Sequence, residues 1–259
     1  MDLGIAGRNA IVCASSRGLG RACALELARA GCRVVINGRD VARLEEVGRE
    51  MAESTGAEIV PVAADVSTVE GREALLGALP QVDILVNNNG GPPPRDWQRL
   101  QPGDIVAGVE ANMIAPIALV QAVLDGMVER RFGRIVNITS GSVKMPMAGL
   151  ELSSGARAGL TAFLAGVARS VAHANVTINN LLPGQFETDR IASLIRTQAT
   201  RSGLDQEAVR ADRQQRIPAG RFGDPAEFGA ACAFLCSAQA GYITGQSLLI
   251  DGGTFPGIM

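Results

Sequence analysis

The chain is poor in the side chains that carry most acid–base chemistry. Its 259 residues hold one tyrosine, one tryptophan and one histidine, and aromatic residues make up 3% of the total. Lys144 is the only lysine among 24 basic residues; the others are arginines scattered among 26 acids, for a formal charge of −2. With no basic run, neither a nucleic-acid partner nor a membrane-surface partner is expected. The longest apolar runs, such as Met113 to Val120 with Pro116 inside, fall short of a membrane span. Met1 to Gly7 carries Asp2 and has no apolar leader segment. Cys13, Cys23, Cys32, Cys232 and Cys236 are odd in number and lack paired metal-ligand spacing, so no metal site is expected and a reduced, cytoplasmic setting follows.

What is present is a core and its punctuation. Apolar residues make up 47%, too many for a disordered chain, and 259 residues lie within the length of one α/β domain. No linker or internal repeat divides residues 1–259. The 31 glycines exceed the usual share of roughly 7%, and many stand where an apolar run passes into a helical pattern. Strand-like runs recur at Asn9–Ala14, Arg33–Asn37, Glu58–Ala63, Val82–Asn87, Arg134–Thr139, Val176–Leu181 and Ser247–Ile250, with amphipathic stretches between them. The alternation predicts a doubly wound, Rossmann-type α/β fold: a seven-stranded parallel sheet with helices on both faces. Asp224-Pro225-Ala226-Glu227 predicts a helix start, ending near Ser237. Pro92-Pro93-Pro94 predicts a loop beyond the fourth strand.

Ser15-Ser16-Arg17-Gly18-Leu19-Gly20 leads from the first strand into a helical pattern. Glycines there let backbone amides approach a pyrophosphate, and the helix dipole adds positive potential. The second strand ends in Asn37-Gly38-Arg39-Asp40, with glycine where an NAD-preferring site offers an acid to the ribose. Arg17 and Arg39 suit a 2′-phosphate, so NADP(H) is expected in preference to NAD(H).

From about Leu3 to Gly253 the chain resembles the short-chain dehydrogenase/reductase family, in particular its 3-oxoacyl-carrier-protein reductases. Asn87-Asn88-Asn89-Gly90 resembles the family's Asn-Asn-Ala-Gly motif, Asp65 its adenine-contacting aspartate and Asn112 its helix asparagine. Pro183-Gly184 with Thr188 resembles the nicotinamide-side loop, and Ile243-Thr244-Gly245 with Asp251-Gly252-Gly253 the carboxyl-terminal strand's flanks. Beside the glycine turn and Arg39, the resemblance implies cofactor contacts from Asp65, Val66, Asn88, Gly90, Arg157, Pro183, Gly184 and Thr188. Asp65 reads equally as a helix cap before Ser67. Ala14 replaces the first glycine of the fingerprint, a change that a small backbone shift accommodates.

The resemblance also implies a catalytic set, and there the pattern breaks. Ser140 matches the family serine, but Ser153-Ser154-Gly155-Ala156-Arg157 replaces the usual Tyr-x-x-x-Lys. A phenol titrates near 10 and is tunable by a cation, whereas an aliphatic hydroxyl is a far weaker acid. Ser140 and Ser153 remain as donors to a substrate oxygen, Arg157 as an electrostatic group or ribose contact, and Asn112 as a water-binding hinge where Pro116 frees a helix carbonyl. Lys144 and Glu151 are the nearest other titratable groups and read better as a loop lysine and a helix-start acid. Tyr242 reads as packing or interface, His173 as a helix-end cation, and Trp97 as a cover for the core or a substrate entrance. Residues 188–218, rich in arginine, resemble the family's substrate-covering segment.

These features imply an NADP(H)-dependent oxidoreductase that reduces a small-molecule carbonyl, such as a 3-oxoacyl thioester, or oxidises the matching alcohol. It would act with a non-standard proton relay and as a homodimer or homotetramer. The alternative is a catalytically silent dinucleotide-binding sensor.

Overall fold

Each of the seven β-branched, apolar runs forms a strand. The computed structural model describes residues 2–91 and 95–258, so Pro92–Pro94 and the loop expected there lie outside the described residues. The strands are β1 (Asn9–Val12), β2 (Arg33–Gly38), β3 (Ile59–Ala63), β4 (Ile84–Asn87), β5 (Gly133–Ile138), β6 (Val176–Pro183) and β7 (Ser247–Ile250). All pair in parallel, in the order β3-β2-β1-β4-β5-β6-β7. The order reverses between β1 and β4, which opens a crevice at the carboxyl ends of those strands.

Side chains alternate between two cores because a strand has period two. Ala10, Val12, Val34 and Ile36 pack under α1 (Gly18–Arg29), α2 (Val41–Thr55) and α9 (Pro225–Cys236). Ile11, Cys13, Val35, Leu85 and Ile135 pack under α3 (Val69–Leu76), α5 (Ala115–Glu129) and α6 (Glu151–Val171). Fully burying each such aliphatic side chain contributes roughly 1.5–3 kcal/mol, which is why both faces are covered. The five cysteines are buried free thiols, and burial pushes Cys13 up to about 12.

Helix ends follow their local chemistry. Asp224 and Glu227 form the expected capping box of α9, and Ser237 ends that helix. Asp40 caps α2 by accepting from the Arg43 amide at 3.1 Å. The segment after β6 folds into α7 (Asp189–Ser202) and α8 (Gln206–Gln215) around a small core of Ile191, Ile195, Val209, Ile217 and Phe222.

Although Asn112 and Pro116 interrupt the composition, α4 (Pro102–Val109), a π turn (Glu110–Ile114) and α5 form one 28-residue helix, long and apolar enough by length and composition to cross a membrane. Its Leu119, Val120, Val123 and Met127 are buried against the sheet, and Gly108 packs on Leu152 of α6. The π turn has a local cause. Pro116 has no N–H for the Asn112 carbonyl, and the Ala115 amide bonds to Glu110 instead, five residues back.

Ala14 does not relieve its departure from glycine by a small shift. Its φ is 45°, in the left-handed region, which is why β1 stops at Val12. That conformation costs an L-residue about 1–2 kcal/mol, against the roughly 0.4–1 kcal/mol by which alanine restricts the unfolded chain. Ala14→Gly is therefore expected to stabilise the protein by about 0.5–1 kcal/mol and raise its Tm by a few degrees. A calorimetric Tm that stays level or falls would contradict the strain.

Candidate active site

The turn after β1 is held by a buried polar network. Ser15 is fully buried; its hydroxyl donates to the Val12 carbonyl at 2.7 Å and accepts from the Asn37 amide at 2.9 Å. Asn37 Oδ1 accepts from the Ala14 amide at 3.0 Å, and its Nδ2 donates to Val62 and Ala64. Asn88 Nδ2 donates to the Ala14 carbonyl at 3.1 Å. Ser15 thus shapes the turn from inside, and Asn37, absent from the expected set, ties three strand ends together. The signal for Asn37 was a polar residue at the end of an otherwise buried apolar strand.

Gly20 is dictated by contact, since a Cβ there would lie 2.4 Å from the Ala14 carbonyl oxygen. Arg17 precedes α1 in extended conformation and gives the helix no side-chain cap. The start of α1 borders a cavity of about 360 Å³ lined by Arg17, Gly18, Arg21, Arg43 and Thr188, with Glu26, Glu187, Asp189 and Asp224 also on its wall. Uncapped amides, a helix dipole and a free arginine suit a pyrophosphate. The Thr188 hydroxyl donates to the Phe186 carbonyl at 3.3 Å on the cavity's far wall.

The end of β2 is equally specific. Arg39 is 79% exposed in its side chain and only 3.8 Å from an Asp65 oxygen, a loose pair in solvent. Asp65 accepts from the Ser67 amide at 2.9 Å and hydroxyl at 2.6 Å, and those bonds hold its carboxyl below the usual range. The cap of α3 is Thr68, which accepts from Gly71 at 3.0 Å, so the helix-cap reading of Asp65 is overturned. Position 38 is crowded for any side chain, because a Cβ would meet Ser16 Oγ at 3.0 Å. Val66 is buried, Ser16 and Leu19 are half-buried, and Gly90 is exposed at the crevice. Arg39→Asp is expected to lower the ratio of NADPH to NADH affinity by about 10- to 100-fold, the worth of one charge-assisted phosphate contact plus its reversal. Fluorescence titration with both cofactors reads it; an unchanged ratio would remove Arg39 from phosphate recognition.

At the other end, β5 delivers Ser140 and the first turns of α6 deliver Ser153 and Arg157. Ser140 Oγ accepts from the Ser142 amide at 3.1 Å and from the Ser142 hydroxyl at 2.8 Å, which leaves its own proton to donate into the crevice. Ser153 Oγ accepts from Arg157 Nε at 3.1 Å and is likewise left as a donor. Arg157 is 7% exposed and has no carboxylate partner among the described residues. Its Nη1 donates to the Ile138 carbonyl at 2.6 Å and its Nη2 to the Asn89 carbonyl at 3.1 Å. Burial, with Arg190 repelling it, pushes the guanidinium down to about 10. Three of its five N–H groups are committed within the protein.

Asn112 is buried in the π turn, with Nδ2 donating to Gly108 at 3.3 Å and Oδ1 without a protein partner. It lines a second cavity of about 200 Å³ with Gly90, Gly91, Ala111 and Leu152, beside the Arg95–Asp104 ion pair. Two further residues were missed. Asn89 links Arg157 to the π turn through Nδ2 to the Ala111 carbonyl at 3.1 Å; its signal was the asparagine replacing the motif's alanine. Arg190, in the first turn of α7, reaches the crevice so that a Cβ on Gly91 would lie 3.0 Å from its Nη1 and 3.6 Å from Ser153 Oγ. Nothing local separates Arg190 from the other arginines of its segment.

The remaining titratable groups stand apart. Lys144 ends the short turn after Ser140, and Glu151 accepts from the Gly149 amide at 3.1 Å. Tyr242 is fully exposed; it follows Gly241, which packs near Arg134 and Asn175 at the amino ends of β5 and β6. That is the end of the sheet opposite Ser140. His173 is exposed and bonds Ser170, and Trp97 is 63% exposed. Pro183 and Gly184 end β6 beside the crevice, and a Cβ on Gly184 would lie 2.7 Å from Asp251.

Residues 13–254 match the family described as enoyl-(acyl carrier protein) reductase. The chain is 35% identical over 257 residues to the 3-oxoacyl-(acyl-carrier-protein) reductase FabG of Vibrio cholerae, covering 98% of this chain and 99% of that one. It is 30% identical over 256 residues to the NADPH-dependent reductase BacG of Bacillus subtilis, covering 97% and 99%. The structure of L-sorbose reductase from Gluconobacter frateurii complexed with NADPH and L-sorbose aligns over the whole of both chains, with a TM-score of 0.95 and 28% identity.

Proposed function

Because the chain belongs to the short-chain dehydrogenase/reductase family, we propose that it is an NADP(H)-dependent reductase of a small-molecule carbonyl, working through two serines and an arginine. The observation that carries this reading is the state of the two hydroxyls. Ser140 and Ser153 each have their acceptor side engaged by donors, Ser142 and Arg157, so each is directed to donate to an oxygen in the crevice. A donor fixed before the reaction stabilises developing negative charge without reorganisation.

When bound, NADP(H) supplies or accepts the hydride. The uncapped α1 amides and Arg17 suit its pyrophosphate and Arg39 its 2′-phosphate, with Asp65, Val66, Asn88, Gly90, Pro183, Gly184 and Thr188 completing the groove. Preference for the phosphorylated form rests on Arg39 and on glycine, in place of an acid, at position 38. Ser140 and Ser153 hold the substrate oxygen, and Arg157 stabilises the charge arriving there through its Nε bond to Ser153. Asn112, with an unpartnered Oδ1 on a cavity, positions water for proton resupply. The relatives' names make 3-oxoacyl thioesters and sugars reference substrates.

On this reading residues 1–259 act as one domain in which α7 and α8 cover the substrate, and the setting is the cytoplasm. Self-association as a dimer or tetramer is supported by exposed Ile105, Val106, Ile114 and Phe163, with open space over Gly155 and Gly166 of α6. Gly108 and Gly159 are spent inside the chain instead, against Leu152 and Met113.

Incubation with NADPH and a panel of oxo compounds, followed by absorbance, tests the activity. Oxidation of NADPH by one member supports it. Tight NADPH binding with no turnover on any member would favour the silent sensor, which the distance of Tyr242 from the crevice otherwise recommends.

A further inference from the structure

Two arginines with no anionic partner meet at Ser153. Arg157 is buried and bonds only to neutral oxygens, those of Ser153, Ile138 and Asn89. Arg190 enters the same space from α7: the site of a Cβ on Gly91 lies 3.0 Å from its Nη1 and 3.6 Å from the Ser153 hydroxyl oxygen. Two other arginines of the same segment are neutralised, Arg210 by Glu187 at 2.6 Å and Arg216 by Asp212 at 2.9 Å. Among the described residues, Arg190 has no carboxylate within ion-pair distance. The two cations repel each other enough that Arg190 contributes to lowering the Arg157 pKa.

Like charges gathered without a counter-ion are costly in a partly desolvated crevice, and an anion between them removes the cost. A guanidinium offers two parallel N–H groups that match a carboxylate, and Arg190 keeps its fork exposed to receive one. The position next to Ser153 also fixes distance. An anion held there lies within one or two carbons of an oxygen bound by that hydroxyl.

Resting on the reductase reading above, we infer that Arg190 is a specificity residue and that the substrate is an oxo acid whose carboxylate lies one or two carbons from the carbonyl. Arg190 pairs with that carboxylate, while Ser140 and Ser153 hold the carbonyl oxygen. This narrows the substrate away from thioesters, which carry no charge at that place.

The test uses the NADPH-loaded protein and unreactive mimics. Oxamate and malonamate carry a carboxylate one and two carbons from an amide carbonyl; oxamide and malonamide have the same shape without charge. Calorimetric titration is expected to show binding of one of the acids and at least tenfold weaker binding of its diamide. In Arg190→Leu the acid is expected to lose at least tenfold in affinity, and Arg190→Lys to recover part of it, with NADPH affinity unchanged in both variants. Equal binding of acid and diamide, no binding of either acid, or undiminished binding to Arg190→Leu would overturn the inference. A loss of NADPH affinity in Arg190→Leu would overturn it too, by moving the residue to the cofactor. Failure of the wild-type protein to bind NADPH would instead refute the reductase reading beneath it.

Discussion

Ser140→Ala is expected to lower kcat for carbonyl reduction by about 10²–10³-fold, the scale of removing one preorganised donor from a developing oxyanion. The size follows from the local wiring. Ser142 donates twice to Ser140 Oγ, so the hydroxyl proton has no competing role and points to the crevice. Alanine removes that proton and also strands the amide and hydroxyl of buried Ser142, at a stability cost of roughly 1–3 kcal/mol each, while NADPH affinity changes little. Steady-state kinetics with a fluorescence measurement of NADPH binding separates the effects. A variant with full kcat would mean that Ser140 does not touch the reacting oxygen.

Arg157→Leu is expected to cost about 10²-fold in kcat with a stability loss of only a few kcal/mol, because two large contributions to stability oppose each other. Leucine strands the Ile138 and Asn89 carbonyls and the Ser153 oxygen, each at roughly 1–3 kcal/mol. It also removes a buried cation whose pKa burial pushes down to about 10, a penalty of roughly 3 kcal/mol at neutral pH. The sign of the pH dependence follows. The folded state gives up this proton before the unfolded state does, so the penalty is complete below about 10 and fades as pH rises from there towards the range of a free arginine. Activity runs the other way, since the protonated guanidinium supports Ser153: kcat is level from neutral pH upward and falls as pH passes about 10. Chemical denaturation and a pH–rate profile of both proteins check the two halves. A large stability loss with unchanged kcat would make Arg157 a structural clamp alone.

The strands were legible because parallel strands covered on both faces read as short apolar runs, and all seven expected runs are strands. The α9 cap was legible for the same local reason, with Asp224, Pro225 and Glu227 adjacent in sequence. Where a conformation depends on what surrounds it, the reading failed. Nothing in Ala14 announces a left-handed backbone, and nothing at Asn112 announces the π turn inside the long helix. The candidate site divides similarly. Ser140, Ser153 and Arg157 stand at motif spacings, but their wiring is through space. Asn89 joins Arg157 to the π turn, and Asn87, Asn137, Asn180 and Ser247 bond in sequence across β4 to β7, steadying the ends that carry the site. Asn87 is opposite Asn137, and Asn137 opposite Asn180, a register that no one-dimensional pattern reveals. Arg190 lies 37 positions from Ser153 and meets it only because β6 returns the chain to the crevice.

Transfer of deuterium from NADPH labelled at the nicotinamide C4 position to an oxo acid tests the central claim most directly. The account predicts an alcohol product heavier by one deuterium, formed by the wild-type protein and nearly absent with Ser140→Ala. Bound, labelled NADPH that leaves every oxo compound unlabelled would contradict it.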